Sequence, residues 1–263
     1  MTVWHPFKYR QGVRRQMGLA ALGFGLLVGG TGLVVADGGH KHKKGEIVAK
    51  ADGKVEPAFD IVHAKVSASD KWLVFHMHLS GLAGEKRPKI TGKLAKAPVF
   101  SYVWPTNLDS SAVGFDKDQG ILALAVTSHP DFDDTPLFDE NNDGNLDNDG
   151  GDWHSHWVVL VKDKSCGAGL KVKDIPEGSK PKLPATWPGF PIFLDSPGFS
   201  PKLSKKSVEV RVPLALIGQK KGFSYDGVTS GLQVNESIHA PLLCVKDVFK
   251  IASGDLSLPG KVE

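Results

Sequence analysis

The chain has 263 residues, 41% of them hydrophobic, and 32 Lys and Arg against 29 Asp and Glu give a formal charge of +3. The length suits one large domain or two small ones. Residues 1–36 hold four basic and no acidic residues, which leaves 28 basic against 29 acidic in the remainder, a balance that calls for neither nucleic acid nor an anionic membrane as partner.

Those first 36 residues read as a signal peptide. Lys8, Arg10, Arg14 and Arg15 form a basic region, and the run from Met17 to Ala36 is apolar. Val34 and Ala36 then take the small-residue places before a cleavage site at Asp37. The pair Arg14-Arg15 also admits a twin-arginine signal, and an apolar run of this length can stay uncleaved as an anchor, although its glycines weaken it as a permanent helix. Either way the folded part is expected outside the cytoplasm, periplasmic or secreted, with membrane contact only if the segment is uncleaved. Residues 37–56 read as a flexible polar segment in which His40 and His42 offer weak metal capture at most. Residues 57–263 read as a single domain.

That domain opens on FDIVHAKVS (59–67) and KWLVFHMHLS (71–80), two alternating runs that predict a hairpin. Leu73, Phe75, Met77 and Leu79 share the core face, so His76 and His78 point the other way, and His63 joins them on the outer face. A two-residue turn at Ser69-Asp70 would set His63 opposite His76, whereas a turn at Ala68-Ser69 would leave them diagonal. VFSYVW (99–104), ILALAVTS (121–128), HWVVLV (156–161), SVEVRVP (207–213), GLQVN (231–235) and APLLCVKDVF (240–249) follow, separated by Pro- and Gly-rich connectors. Many short strands and no ordinary helix predict an all-β fold, an antiparallel β-sandwich of jelly-roll or immunoglobulin-like type with long loops.

The pieces FDIVHAKV, KWLVFHMHLSG, VEVRVPLALIG and GLQVN, in that order over roughly 59–250, resemble the β-sandwiches grouped with family 9 carbohydrate-binding modules and DOMON domains. The resemblance implies a sugar or haem ligand and assigns no ligand residues. A haem held jointly by Met77 and His76 or His78 is excluded by parity, since they point to opposite faces. Trp104 in SYVWP and Trp187 in ATWPGF either form a sugar-stacking platform or pack under their loops.

Between the fourth and fifth of these runs, Asp131 to Asp152 holds nine Asp or Glu and no Lys or Arg. Such a density of carboxylates repels itself unless solvent or a cation neutralises it. Asp139, Asn141, Asp143, Gly144, Asn145 and Asp147 are spaced as in an EF-hand loop, with oxygen ligands that select calcium. The final Glu of that loop is replaced by Gly150, and no helices flank it, so it also resembles the loops of thrombospondin type 3 repeats. Asp149 or Asp152 would then complete the shell. The loop runs into HSHW, where His154 and His156 share a face opposite Trp157. Two pairs of histidines at alternate strand positions suit zinc or copper, so His63, His76, His78, His154 and His156 are candidate ligands if the pairs adjoin. Surface or hydrogen-bonded histidines are the plainer reading.

Cys166 and Cys244, 78 residues apart, are spaced wrongly for redox or haem-attachment motifs and are expected to form one disulfide. No nucleophile elbow, zinc-protease helix, P-loop or dinucleotide fingerprint occurs. The sequence thus points to an exported calcium-binding protein, non-catalytic, with a histidine-lined zinc or copper site. A carbohydrate-binding protein with structural calcium, a metal-dependent hydrolase and a haem-binding domain stand as alternatives, with metal ions, carbohydrate or another exported protein as partners.

Overall fold

The computed structural model describes residues 45–89, 95–130, 139, 144, 152–235 and 241–262. The expected signal segment, His40 and His42 lie outside the described residues. Among those described, no helix is long and apolar enough to cross a membrane.

The strands in chain order are β1 (Ile47–Val48), β2 (Ile61–Ala68), β3 (Trp72–Leu79), β4 (Pro98–Pro105), β5 (Ile121–Ser128), β6 (His154–Lys162) and β7 (Leu170–Val172). They continue with β8 (Leu194–Asp195), β9 (Lys202–Ser204), β10 (Ser207–Pro213), β11 (Ser224–Tyr225), β12 (Val228–Val234), β13 (Leu243–Ile251) and β14 (Gly260–Lys261). Strands β4, β5, β6, β7, β13 and β12 pair in that cyclic order, each antiparallel to its neighbours, and β12 returns to β4. Six strands therefore close into a barrel. β8 adds to β6, and β11 pairs with β14 as a separate ribbon. A five-stranded sheet in the order β1-β2-β3-β10-β9 completes the fold.

This corrects the expected antiparallel sandwich. A sandwich strand buries one face and wets the other, but β5 is buried at seven of its eight positions and β6 at its first seven. Both faces are covered because one lines the barrel lumen and the other meets the five-stranded sheet. The division of residue sizes fits that geometry. Val99, Val103, Ala123, Ala125, Val158 and Leu160 form the lumen cluster, whereas Tyr102, Trp104, Leu122, Leu124, Trp157 and Val159 form the outer one. A narrow barrel favours small and branched side chains over most of its interior, so the phenyl, phenol and indole rings of the wall go outward.

Outside the wall, Leu73, Phe75, Met77 and Leu79 of β3 are each 0% exposed. The Phe75 ring meets Trp104 and Trp157 edge-on, at 5.9 and 6.0 Å between centroids. Such contacts, with the area they bury, hold sheet to barrel. The β2–β3 hairpin differs from both turns considered above. Ala68 pairs with Leu73, and the Ser69 N–H donates to the Trp72 carbonyl at 2.8 Å, so the turn spans Ser69–Trp72. The Ser69 hydroxyl also donates to that carbonyl at 3.2 Å, which favours the longer turn. The longer turn sets His63 opposite His78 rather than His76, and the register shifts only beyond it, between Ile61 and His63. Part of the segment expected to be loose is also tied in. Ile47 pairs with Ala64, and Glu46 accepts from Lys65 at 2.7 Å and lies 3.2 Å from the His63 ring.

The barrel's thinnest joint is β7, which meets β13 at the single register pair Cys244↔Lys171. There Cys166 and Cys244 form a disulfide, with Cα atoms 5.2 Å apart and 78 residues between them. Lys171 adds ion pairs to Asp163 (3.0 Å) and Asp174 (2.7 Å). Closing a loop of this length contributes about 4 kcal/mol by restricting the unfolded chain. Replacing both cysteines by serine is therefore expected to lower the melting temperature by about 10 °C, measured by calorimetry; an unchanged melting temperature would show that the joint does not need its staple.

Candidate metal centre

Barrel closure brings together residues far apart in the chain. β5 and β6 pair along their length, with Thr127 opposite His154 and Ala125 opposite His156. Because Ala125, Val158 and Leu160 belong to the lumen cluster, His154 and His156 point into the barrel rather than to its outside. They are 0% and 3% exposed. His129 stands one residue past the end of β5 and continues the face of Ala123, Ala125 and Thr127. It is half-buried at the mouth of the lumen.

One nitrogen from each of His129, His154 and His156 lies within 4.8 Å of the other two. His129 Nε2 and His154 Nε2 are 3.1 Å apart. The rings meet edge-on, with centroids 4.9 Å apart for His129 and His154 and 4.8 Å for His154 and His156. His129 Nδ1 lies 3.1 Å from the Pro130 carbonyl, which can only accept, so Nδ1 carries the proton and Nε2 presents its lone pair. His156 Nδ1 meets the Ser196 hydroxyl at 3.0 Å. That contact fixes the ring and turns its Nε2 away from Ser196, as supporting hydrogen bonds do for imidazole ligands. Two nitrogens bound to one tetrahedral ion at ordinary zinc distances stand about 3.3 Å apart, close to the separation seen here. The Thr127 hydroxyl, on a side chain 8% exposed and opposite His154, has no hydrogen-bond partner among the described residues. Ser101 and Ser230, further round the same lumen, satisfy each other at 2.7 Å.

The five histidines expected from sequence do not converge. His63, His76 and His78 lie on the five-stranded sheet, on the face turned away from the barrel, while His154 and His156 face the lumen. The outer three are near one another, with His63 and His76 rings 6.2 Å apart. Two of them have other partners: His78 Nδ1 meets Ser207 Oγ at 3.0 Å, and His63 meets Glu46. Burial, and then the neighbouring His63, holds the His76 imidazole below its usual range, and burial followed by Lys206 does the same for His78. His129, which completes the inner group, was missed because its place lies past the strand end. The signal was present, since His129 continues the alternation of Ala123, Ala125 and Thr127.

Of the expected calcium ligands, Asn141, Asp143, Asn145, Asp147 and Asp149 lie outside the described residues. Asp139 Oδ2 accepts from the Gly144 N–H at 2.9 Å, and Gly144 has φ of 88°, a left-handed turn suited to glycine. Asp152 lies 3.4 Å from Arg87. Trp104 is 0% exposed in the core, and Trp187 Nε1 donates to the Phe190 carbonyl at 2.8 Å, so Trp104 offers no sugar platform and Trp187 is pinned to its own loop.

Next to Ser196, Asp195 is 4% exposed, and burial pushes its carboxyl up to about 6, against hydrogen bonds from Thr186 and the Ser196 N–H that favour the charged form. Its neutral form is preferred in the fold, so its contribution to stability is complete below the ordinary value of 3.8 and is lost as pH rises through about 6. Asp195→Asn keeps the acceptor for Thr186 and removes the charge. It is expected to raise stability at pH 7 by up to about 3 kcal/mol and to change little at pH 4, read from urea unfolding at both pH values. Equal effects at the two would contradict this.

No known protein family, curated protein or solved structure matches this chain.

Proposed function

We propose that the protein binds a transition-metal ion, zinc or copper, on His129, His154 and His156, and that it holds the ion rather than turning over a substrate. The observation that carries this reading is the mutual approach of three imidazole nitrogens within 4.8 Å, two of them 3.1 Å apart. Imidazole is a ligand for both ions, and three such ligands leave one position for water or a small anion. The burial of His154 and His156 supports retention over catalysis, because it leaves little room for a substrate at the ion. The signal-like residues 1–36 and the Cys166–Cys244 disulfide support export to the periplasm or beyond, where disulfides persist.

A calcium ion on the acidic segment is the second part of the reading. Asp139, Asn141, Asp143, Asn145, Asp147 and either Asp149 or Asp152 are its proposed ligands, and the Asp139–Gly144 turn supports it. The absence of the final Glu points to weak affinity, near the millimolar values of extracellular modules. This ion would have a structural role, steadying the connection between β5 and β6.

Protein purified without tag or chelator is expected to carry or take up one zinc or copper per chain by elemental analysis. His129→Ala and His154→Ala should each weaken binding at least tenfold, and Ser196→Ala about 10–100-fold through the orientation of His156. His76→Ala should change nothing, and binding should fall as pH drops below about 6.5, where free imidazoles protonate. Undiminished binding by His129→Ala would sink the assignment. For calcium, millimolar ion should raise the melting temperature, and Asp143→Ala should remove the rise; no rise in the parent protein would end that part.

A further inference from the structure

A cavity lies on the outer face of the barrel wall, the face opposite the one that carries His154 and His156. Phe59, Phe100 and Phe249 meet there, with Phe59 rings 5.1 Å from Phe100 and 4.8 Å from Phe249. Phe59 is buried, whereas Phe100 and Phe249 are only half-covered, so the fold leaves part of an aromatic cluster facing solvent. Strand β12 permits this by carrying Gly231 between them in the ladder. A Cβ at Gly231 would stand 3.0 Å from Phe249 Cζ, so the ring rests over bare backbone. These rings floor an open cavity of about 510 Å³. That volume lies in the range of sites for small organic molecules.

Two loops wall the cavity, and they are locked together. The Gly81 N–H donates to the Pro57 carbonyl at 2.8 Å, and a Cβ at Gly81 would come within 2.5 Å of Pro57 Cβ. On the far side, the Tyr102 hydroxyl accepts from the Gly84 N–H at 2.9 Å and donates to the Ala58 carbonyl at 3.0 Å, which ties both loops to β4. The rim is mixed in charge, with one more cation than carboxylate among its lining side chains. Lys54, Lys86 and Arg87 line it against the carboxylates Glu56 and Asp247. Lys86 reaches Glu56 only at 3.7 Å and Arg87 reaches Asp152 at 3.4 Å, in exposed pairs that water screens.

We propose that this cavity binds an amphipathic organic anion, a flat apolar body bearing one carboxylate. The body covers the phenylalanine floor, where its burial drives association, and the carboxylate meets the lysines at the rim, which select anion over cation. The site stands independently of the metal centre, since the two share no residue.

The probes are 2-naphthoate, its neutral isostere 2-naphthalenemethanol and the cation 2-naphthylmethylamine, titrated into the intact, disulfide-bonded protein by NMR. 2-Naphthoate is expected to bind with Kd of about 0.1–1 mM, to shift the Val55 methyl resonances, and to weaken with added salt. It should bind about tenfold tighter than the alcohol, and the amine should bind least. Lys54→Gln combined with Lys86→Gln alters only exposed side chains, so an unchanged melting temperature should accompany loss of that tenfold preference. Binding of the alcohol by this variant should be unaltered. Equal affinity for the three probes, or no shift at Val55 at the solubility limit of 2-naphthoate, would overturn the proposal. Zinc and copper content, measured on the same samples, reports the metal centre separately.

Discussion

The pairing of β5 with β6 is the contact on which the rest of the molecule depends. Without it the strands from β5 through β4, β12, β13 and β7 to β6 would form an open sheet with two bare edges. Open edges invite pairing with other chains, and closure removes them. The same seven register pairs, Ile121↔Leu160 to Thr127↔His154, set which side chains stand side by side at the barrel mouth. Fold and candidate centre thus share one constraint. The acidic segment between Pro130 and Trp153 joins the two strands, so its ends are anchored at the histidines. Trp153 holds the returning end by donating from Nε1 to the Gly84 carbonyl at 3.3 Å and packing on Tyr102.

Size sorting across the barrel wall explains why the mouth can hold imidazoles. Ala123, Ala125 and Ser101 take little space inside, and the volume they forgo is available to His154 and His156 at neighbouring positions. Buried polar groups in a lumen are costly unless they find partners. Ser101 and Ser230 find each other, and His156 finds Ser196. A metal ion is a partner of a different kind, since it uses the lone pairs of several imidazoles at once. The outer sheet keeps its own histidines out of this across a core of Phe75, Trp104 and Trp157, and holds two of them, His63 with Glu46 and His78 with Ser207.

Local pattern was readable where one face alone is buried. The alternation of Leu73, Phe75, Met77 and Leu79 against His76 and His78 in β3 is what the structure has, as is the outward place of His63. Register was less so, because the shift near His63 and the turn at Ser69–Trp72 depend on hydrogen bonds that alternation does not encode. Closure into a barrel was missed for a related reason. ILALAVTS lacks a polar face, which is the mark of a strand buried on both sides, yet a flat buried strand carries the same mark. Strand order set the candidate site. His154 and His156 were singled out from spacing, but whether their neighbour would be His76 or His129 is a long-range pairing that no short window contains.

X-ray absorption at the zinc edge of the loaded protein reads the ligand shell of the ion itself. Three imidazole nitrogens at about 2.0–2.1 Å are expected, falling to two in His129→Ala. A first shell of oxygen ligands, or three imidazoles that survive removal of His129, would contradict an ion held on His129, His154 and His156.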